Sequence, residues 1–193
     1  MANIHLKRKG NLKNHVGLLL ESGLTEAQEM WIDIIISVVT EPKFSIGIGN
    51  MDYVLGNMVA KYVSSSKYYK VTEQAYDYIK SIGIDPEEPL HIKKHIYGQN
   101  KNTILEHIIP ANIIKHAVVE NKTDVDQMKH ILNNAGFVVI ATRAEDQLLK
   151  DAKLNDKMPL NWTGFGDSPE KRYDAVGIKI ADISIEHIGQ ICR

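Results

Sequence analysis

A single cysteine in 193 residues, Cys192, excludes an internal disulfide framework and any zinc site built on cysteines. An excess of charge of either sign is also missing. The 23 Lys and Arg stand against 24 Asp and Glu, a formal net charge of −1, so the chain lacks the electrostatic footprint of an avid, non-specific nucleic-acid binder. No apolar run approaches the roughly 20 residues of a membrane span; the richest, WIDIIISVV from Trp31 to Val39, is short and carries Asp33. Met1 to Gly10 is basic without the apolar stretch of a secretory signal, and the expectation is a cytoplasmic protein with no membrane partner.

What is there is the composition of a globular protein, with 44% apolar and 24% charged residues, in a chain long enough to bury a core as one domain or as one domain with a helical extension. Basic residues cluster locally in HLKRKGNLKNH, from His5, and in HIKKHIYGQNKN, from His91; each reads first as a solvated face.

The first 88 residues read as a helical region. An apolar stretch at Val16 to Leu20 stops at Gly23, and Thr25 with Gln28 forms a capping box for a long helix that must end before Pro42. The glycines of SIGIGN mark a loop, Met51 to Val63 returns to helical spacing, and Thr72 opens a helix that ends at Gly83.

After Pro89 the pattern changes. Leu90, Ile92 and Ile96 at even spacing, with His91, Lys93, His95 and Tyr97 opposite, predict a half-buried strand. NTILEHIIP predicts a second extended segment running into a turn at Pro110. Helices are predicted over Ala111 to Val119 and after Thr123 up to Gly136. FVVIAT, Phe137 to Thr142, is a β-branched strand, and Thr142 with Glu145 forms a second capping box for the helix that follows. Ser168, Pro169 and Gly177 delimit a further helix, and the alternating tail from Ile178 adds a strand. The fold class expected is α+β, with a helical region over 1–88 and a mixed region over 89–193.

Glu106 and His107 stand side by side at a predicted strand end, where neighbouring side chains point to opposite sides. Glu106-His107-Ile108-Ile109-Pro110, then the strand FVVIAT, then a helix opening with AEDQ, resembles the HNH or ββα-metal endonuclease family, closest to the HNH domain of RNA-guided CRISPR nucleases. The later LNDKMP, from Leu154, has the flavour of a family segment, and the likeness covers roughly residues 90 to 160. It implies a ββα-metal core and hydrolysis of phosphodiester bonds, most naturally in DNA, by a restriction, phage or defence endonuclease.

The resemblance assigns Glu106 as a ligand of Mg²⁺ or Mn²⁺ and His107 as general base, with a second ligand at the start of the helix. An ungapped count puts Gln147 at that position, whereas the preference of a hard cation for carboxylate favours Asp146; Glu145 is assigned to the capping box. The Asn that braces the histidine loop in the family has Val138 in its place, with Asn133 and Asn134 nearest. Arg143, Lys157 and Arg172 are candidate phosphate contacts. The alternative is a catalytically silent HNH scaffold that binds nucleic acid or protein. With so little net charge, a protein partner or a homodimer formed through the N-terminal helices is a further expectation.

Overall fold

The computed structural model describes residues 24–44, 50–98 and 101–188. The helix predicted before Gly23, most of SIGIGN, the basic segment from His5 and Cys192 lie outside them. In chain order the elements are helices α1 (Glu26–Thr40) and α2 (Met51–Ser64), strand β1 (Tyr68–Thr72), helices α3 (Glu73–Ser81) and α4 (Ile92–His95), and strand β2 (Thr103–His107). Helices α5 (Ala111–Glu120) and α6 (Val125–Ala135), strand β3 (Val138–Thr142), helices α7 (Arg143–Asp151) and α8 (Lys171–Asp174), and strand β4 (Ile180–Glu186) complete the fold. The class is α+β. Among the described residues no helix is long and apolar enough to cross a membrane.

The strands form one sheet in the order β2-β3-β1-β4; β3 runs parallel to β1, and β2 and β4 run antiparallel to their neighbours. Every residue of β3 is buried, as a β-branched run without polar interruption requires. β1 lies inside the sheet although it falls within residues 1–88, so the sheet draws on both sides of Pro89. Helices α1, α2, α5 and α6 pack on one another, while α3 and α7 lie along the sheet.

Local signals explain most of these elements. The Thr25 side chain accepts from Gln28 N at 3.1 Å while Thr25 N donates to Gln28 Oε1 at 3.2 Å, and α1 then buries Ile32, Ile35 and Val39 at helical spacing. Gly83 ends the segment after α3 with φ of +79°, which a side chain would strain. Helix α6 is capped one residue later than expected, by Asp124, whose Oδ1 accepts from Gln127 N at 2.9 Å. Helix α8 is also shorter than its sequence signal, starting after Glu170 rather than at Pro169.

The strand expected over Leu90 to Tyr97 is instead a short helix. Ile92 and Ile96 are both fully buried, and their separation of four residues fits one helical face as well as an even-spaced strand; the bonds His95 N to His91 O and Ile96 N to Ile92 O, each 3.0 Å, decide for the helix. His91, Lys93, His95 and Tyr97 therefore do not share a strand face.

At the end of α6 a close approach replaces a conformational need. A Cβ at Gly136 would lie 2.8 Å from Tyr62 Oη, which donates to Leu132 O at 2.8 Å inside the core. Gly136→Ala is expected to lower the unfolding free energy by about 2 kcal/mol, because the buried tyrosine must leave its bond or displace α6. Urea denaturation measures it, and a midpoint equal to that of the parent would show that the ring gives way freely.

Candidate functional site

β2 ends at His107 and pairs along its whole length with β3, Glu106 opposite Val139 and His107 opposite Val138, so the Glu106-His107 corner is held at the sheet edge by a five-residue register. The next two residues, Ile108 and Ile109, are buried, and Pro110 begins the turn into α5. α7 starts directly after β3, which brings its first turn to the Glu106 side of this corner: the charges of Asp146 and Lys150 both act on the Glu106 carboxyl group.

The capping box at α7 fixes that first turn. Glu145, 1% exposed, accepts from Thr142 N at 2.8 Å and Thr142 Oγ1 at 3.0 Å, while Thr142 Oγ1 accepts from Glu145 N at 3.2 Å. The same carboxylate oxygen accepts from Thr72 Oγ1 at 2.7 Å. Thr72 is the N-cap of α3, so one carboxylate ties together the ends of the parallel strands β1 and β3 where each gives way to its helix. Glu145 is thus a structural group. Glu145→Ala is expected to cost about 2 kcal/mol, because it leaves a buried amide and two buried hydroxyls without their acceptor; thermal unfolding reads it directly.

The remaining predicted ligands separate. Asp146 has a side chain 14% exposed and accepts from Lys150 Nζ at 2.6 Å through Oδ2. Gln147 faces solvent and donates to Asp151 Oδ1 at 2.8 Å.

The residue that organises the corner is Arg172. It is fully buried and lies 66 residues from Glu106, to whose Oε2 its Nη2 donates at 3.0 Å. Nη2 also donates to the His107 carbonyl and, at 3.2 Å, to Tyr173 Oη; Nη1 reaches Leu154 O at 3.0 Å and Asn155 O at 3.4 Å. Asn134, by contrast, is spent on His130 within α6 and does not brace the corner. Of the candidate phosphate contacts, Arg172 is therefore internal, and Arg143 is tied to Lys101 O at 2.9 Å and Gly98 O at 3.1 Å; Lys157 is exposed. Arg172 was legible only as one more cation in SPEKRYDAVGI.

Electrostatics follow from this packing. Burial pushes the Glu106 carboxyl above the ordinary range; the Arg172 charge and hydrogen bond work against that rise, and Asp146 adds to it. Burial, then the neighbouring Arg172 charge, pushes the half-buried His107 imidazole down to about 4. The ring is neutral at pH 7, and it makes no hydrogen bond among the described residues.

A hard divalent ion needs oxygen donors, of which this corner offers two carboxylates: Glu106 Oε1 and Asp146 Oδ1 accept no hydrogen bond among the described residues. No group of three or more His, Cys, Asp or Glu side chains suited to a metal occurs among the described residues. Two carboxylates are too few for an all-protein cage around such an ion.

Comparison of the chain with protein-family models, with curated proteins and with solved structures finds no match in any of the three.

Proposed function

We propose that the Glu106, Asp146 and His107 corner is the centre of a metal-dependent endonuclease that hydrolyses phosphodiester bonds, with DNA as the substrate and a ββα-metal arrangement formed by β2, β3 and α7. The observation that supports the reading is a strand-end carboxylate, Glu106, that feels the Asp146 charge and is followed directly by a neutral, half-buried imidazole. Antiparallel pairing of β2 with β3 and the direct start of α7 after β3 support it.

Glu106 and Asp146 would hold Mg²⁺ or Mn²⁺, which supplies charge neutralisation on the phosphate and assistance to the leaving alkoxide. His107 takes the proton of the attacking water, for which its free lone pair at neutral pH is suited. Arg172 keeps the His107 backbone and the Glu106 carboxylate in place. Exposed Lys150, Lys153 and Lys157, on and just after α7, give a polyanion a basic rim.

The Arg172 pair favours a second reading. With both carboxylates neutralised by Arg172 and Lys150, the corner serves equally as a silent scaffold that binds nucleic acid or protein. Incubation of supercoiled plasmid with the purified protein and Mg²⁺ or Mn²⁺ separates the two. The nuclease reading expects cleavage that is lost in Glu106→Ala, together with Mn²⁺ binding that the same substitution abolishes. Absence of both cleavage and Glu106-dependent Mn²⁺ binding leaves the scaffold reading.

A further inference from the structure

Residues 152–170, between α7 and α8, form neither helix nor strand, a length of irregular chain that is uncommon in a compact domain. The segment leaves α7 through Lys153, whose φ of +57° makes it the one left-handed residue other than glycine among the described residues, and it ends after α8 at Gly177, with φ of +73°. Charged side chains rather than a packed apolar face fasten it. Leu154, Met158, Trp162 and Phe165 are half-buried, Leu160 is fully exposed, and of the apolar side chains between Leu154 and Val176 only Tyr173 is fully buried. Glu170 pairs with the buried Lys70 on β1, and Arg172 Nη2 donates to Glu106 on β2 at 3.0 Å. Between them, Lys171 Nζ donates to Asn161 O at 2.9 Å and to Asp167 Oδ2 at 2.6 Å, while Arg172 Nη1 reaches Leu154 O at 3.0 Å. Asn112 on α5 adds an exposed bond to Asp156 O at 3.1 Å. Lys70 and Glu106 flank Val139 in register, so both ion pairs fall on one face of the sheet. Two more donors of the segment, Trp162 Nε1 and Arg172 Nε, are buried without a partner among the described residues, which opposes closure.

We propose that residues 154–176 are a strap that opens as one unit from this face of the sheet, turning about Lys153 and Gly177 while the sheet stays folded, and that the Lys70–Glu170 and Glu106–Arg172 pairs are its latch. On opening, both members of each pair enter water together, so rupture costs far less than removing one partner from the closed form. The two orphaned donors gain water in the same step. Little fully buried apolar surface is lost besides Tyr173, which puts the strap among the parts of the fold with the lowest opening free energy. The open form is the one that presents Lys70 and the Glu106 carboxylate to a ligand, and this holds whether or not the corner is a nuclease centre.

Native-state amide hydrogen exchange of the full chain tests this, read at Asp167, Tyr173 and Ala175, whose amides are hydrogen-bonded inside the strap, and at Val139 and Ile140 in β3. In the parent the strap amides are expected to exchange at least roughly 10²-fold faster than those of β3. Two substitutions then separate local opening from global unfolding. Glu170→Gln removes one charge of the latch at a half-buried side chain and is expected to speed strap exchange about three- to tenfold. Ile35→Val, in the core under α1, weakens the whole fold but no contact of the strap; it is expected to speed β3 exchange about three- to tenfold and leave the strap rates at the parent value. Strap amides no faster than β3, strap rates that rise with those of β3 in Ile35→Val, or strap rates unchanged in Glu170→Gln overturn the strap.

Discussion

Arg172→Met is expected to lower the unfolding free energy by about 4 kcal/mol, the loss that follows when one partner of a buried ion pair is removed. The guanidinium is completely buried and donates to Glu106, to the His107 carbonyl and to the carbonyls of Leu154 and Asn155. Methionine fills much of the volume but leaves these acceptors, and Tyr173 Oη with them, without their donor and the Glu106 carboxylate without its buried counter-charge. The loss depends on pH with a definite sign. Glu106 has a folded-state pKa already raised above 4.5, so its contribution to stability is fully present at low pH and is lost as pH rises through the folded value. Arg172 opposes that rise, and without it the folded value moves further up and the gap widens. Urea denaturation should therefore show a larger defect at pH 8 than at pH 5, and adding Glu106→Gln to Arg172→Met should recover part of it. A defect below about 1 kcal/mol that is the same at both pH values would mean that the corner stands without its arginine.

Arg172 also marks the limit of what the sequence discloses. The α7 segment was legible because its signals are local: a β-branched run, a Thr cap and a Glu three residues on sufficed to place β3, the helix and the buried role of Glu145. The second anchor of that carboxylate, Thr72, was not legible, since nothing between residues 72 and 145 announces that β1 and β3 lie side by side. β1 itself escaped notice for the same reason. Tyr68 to Thr72 is five residues wedged between a serine run and a helix cap, and it becomes a strand by pairing with β3 and β4, both far along the chain. The segment from Leu90 was misread because four residues are two periods of a strand and about one turn of a helix. At the candidate site the pair Glu106-His107 stood out as adjacent reactive side chains. The long-range bracing by Arg172 did not, because a basic residue in a polar stretch carries no mark of the pocket that will bury it.

His107→Ala is expected to lower the rate of DNA cleavage by about 10²- to 10⁴-fold, the usual contribution of a positioned general base, while leaving Mn²⁺ binding unchanged. The pH dependence identifies the group more closely than the loss of rate. An imidazole free in solvent titrates at 6.5, whereas burial and then the Arg172 charge bring this one down to about 4. The base is therefore still unprotonated at pH 5.5, and Glu106, whose carboxyl burial pushes above the ordinary range, must be ionised as well, so the acid limb of kcat/KM is set by the two groups together. Stability carries the same signature with its own sign. A depressed histidine contributes stability that is fully present above the unfolded value of 6.5 and is lost as pH falls towards the folded value of about 4. Integrated over that window, the loss is at most roughly 3 kcal/mol. From pH 7 to pH 4 the unfolding free energy of the parent should fall relative to that of His107→Gln, which has no imidazole to titrate, by up to roughly 3 kcal/mol. Stability curves that stay parallel would place the imidazole in solvent, and cleavage that survives in His107→Ala would remove it from the role of base.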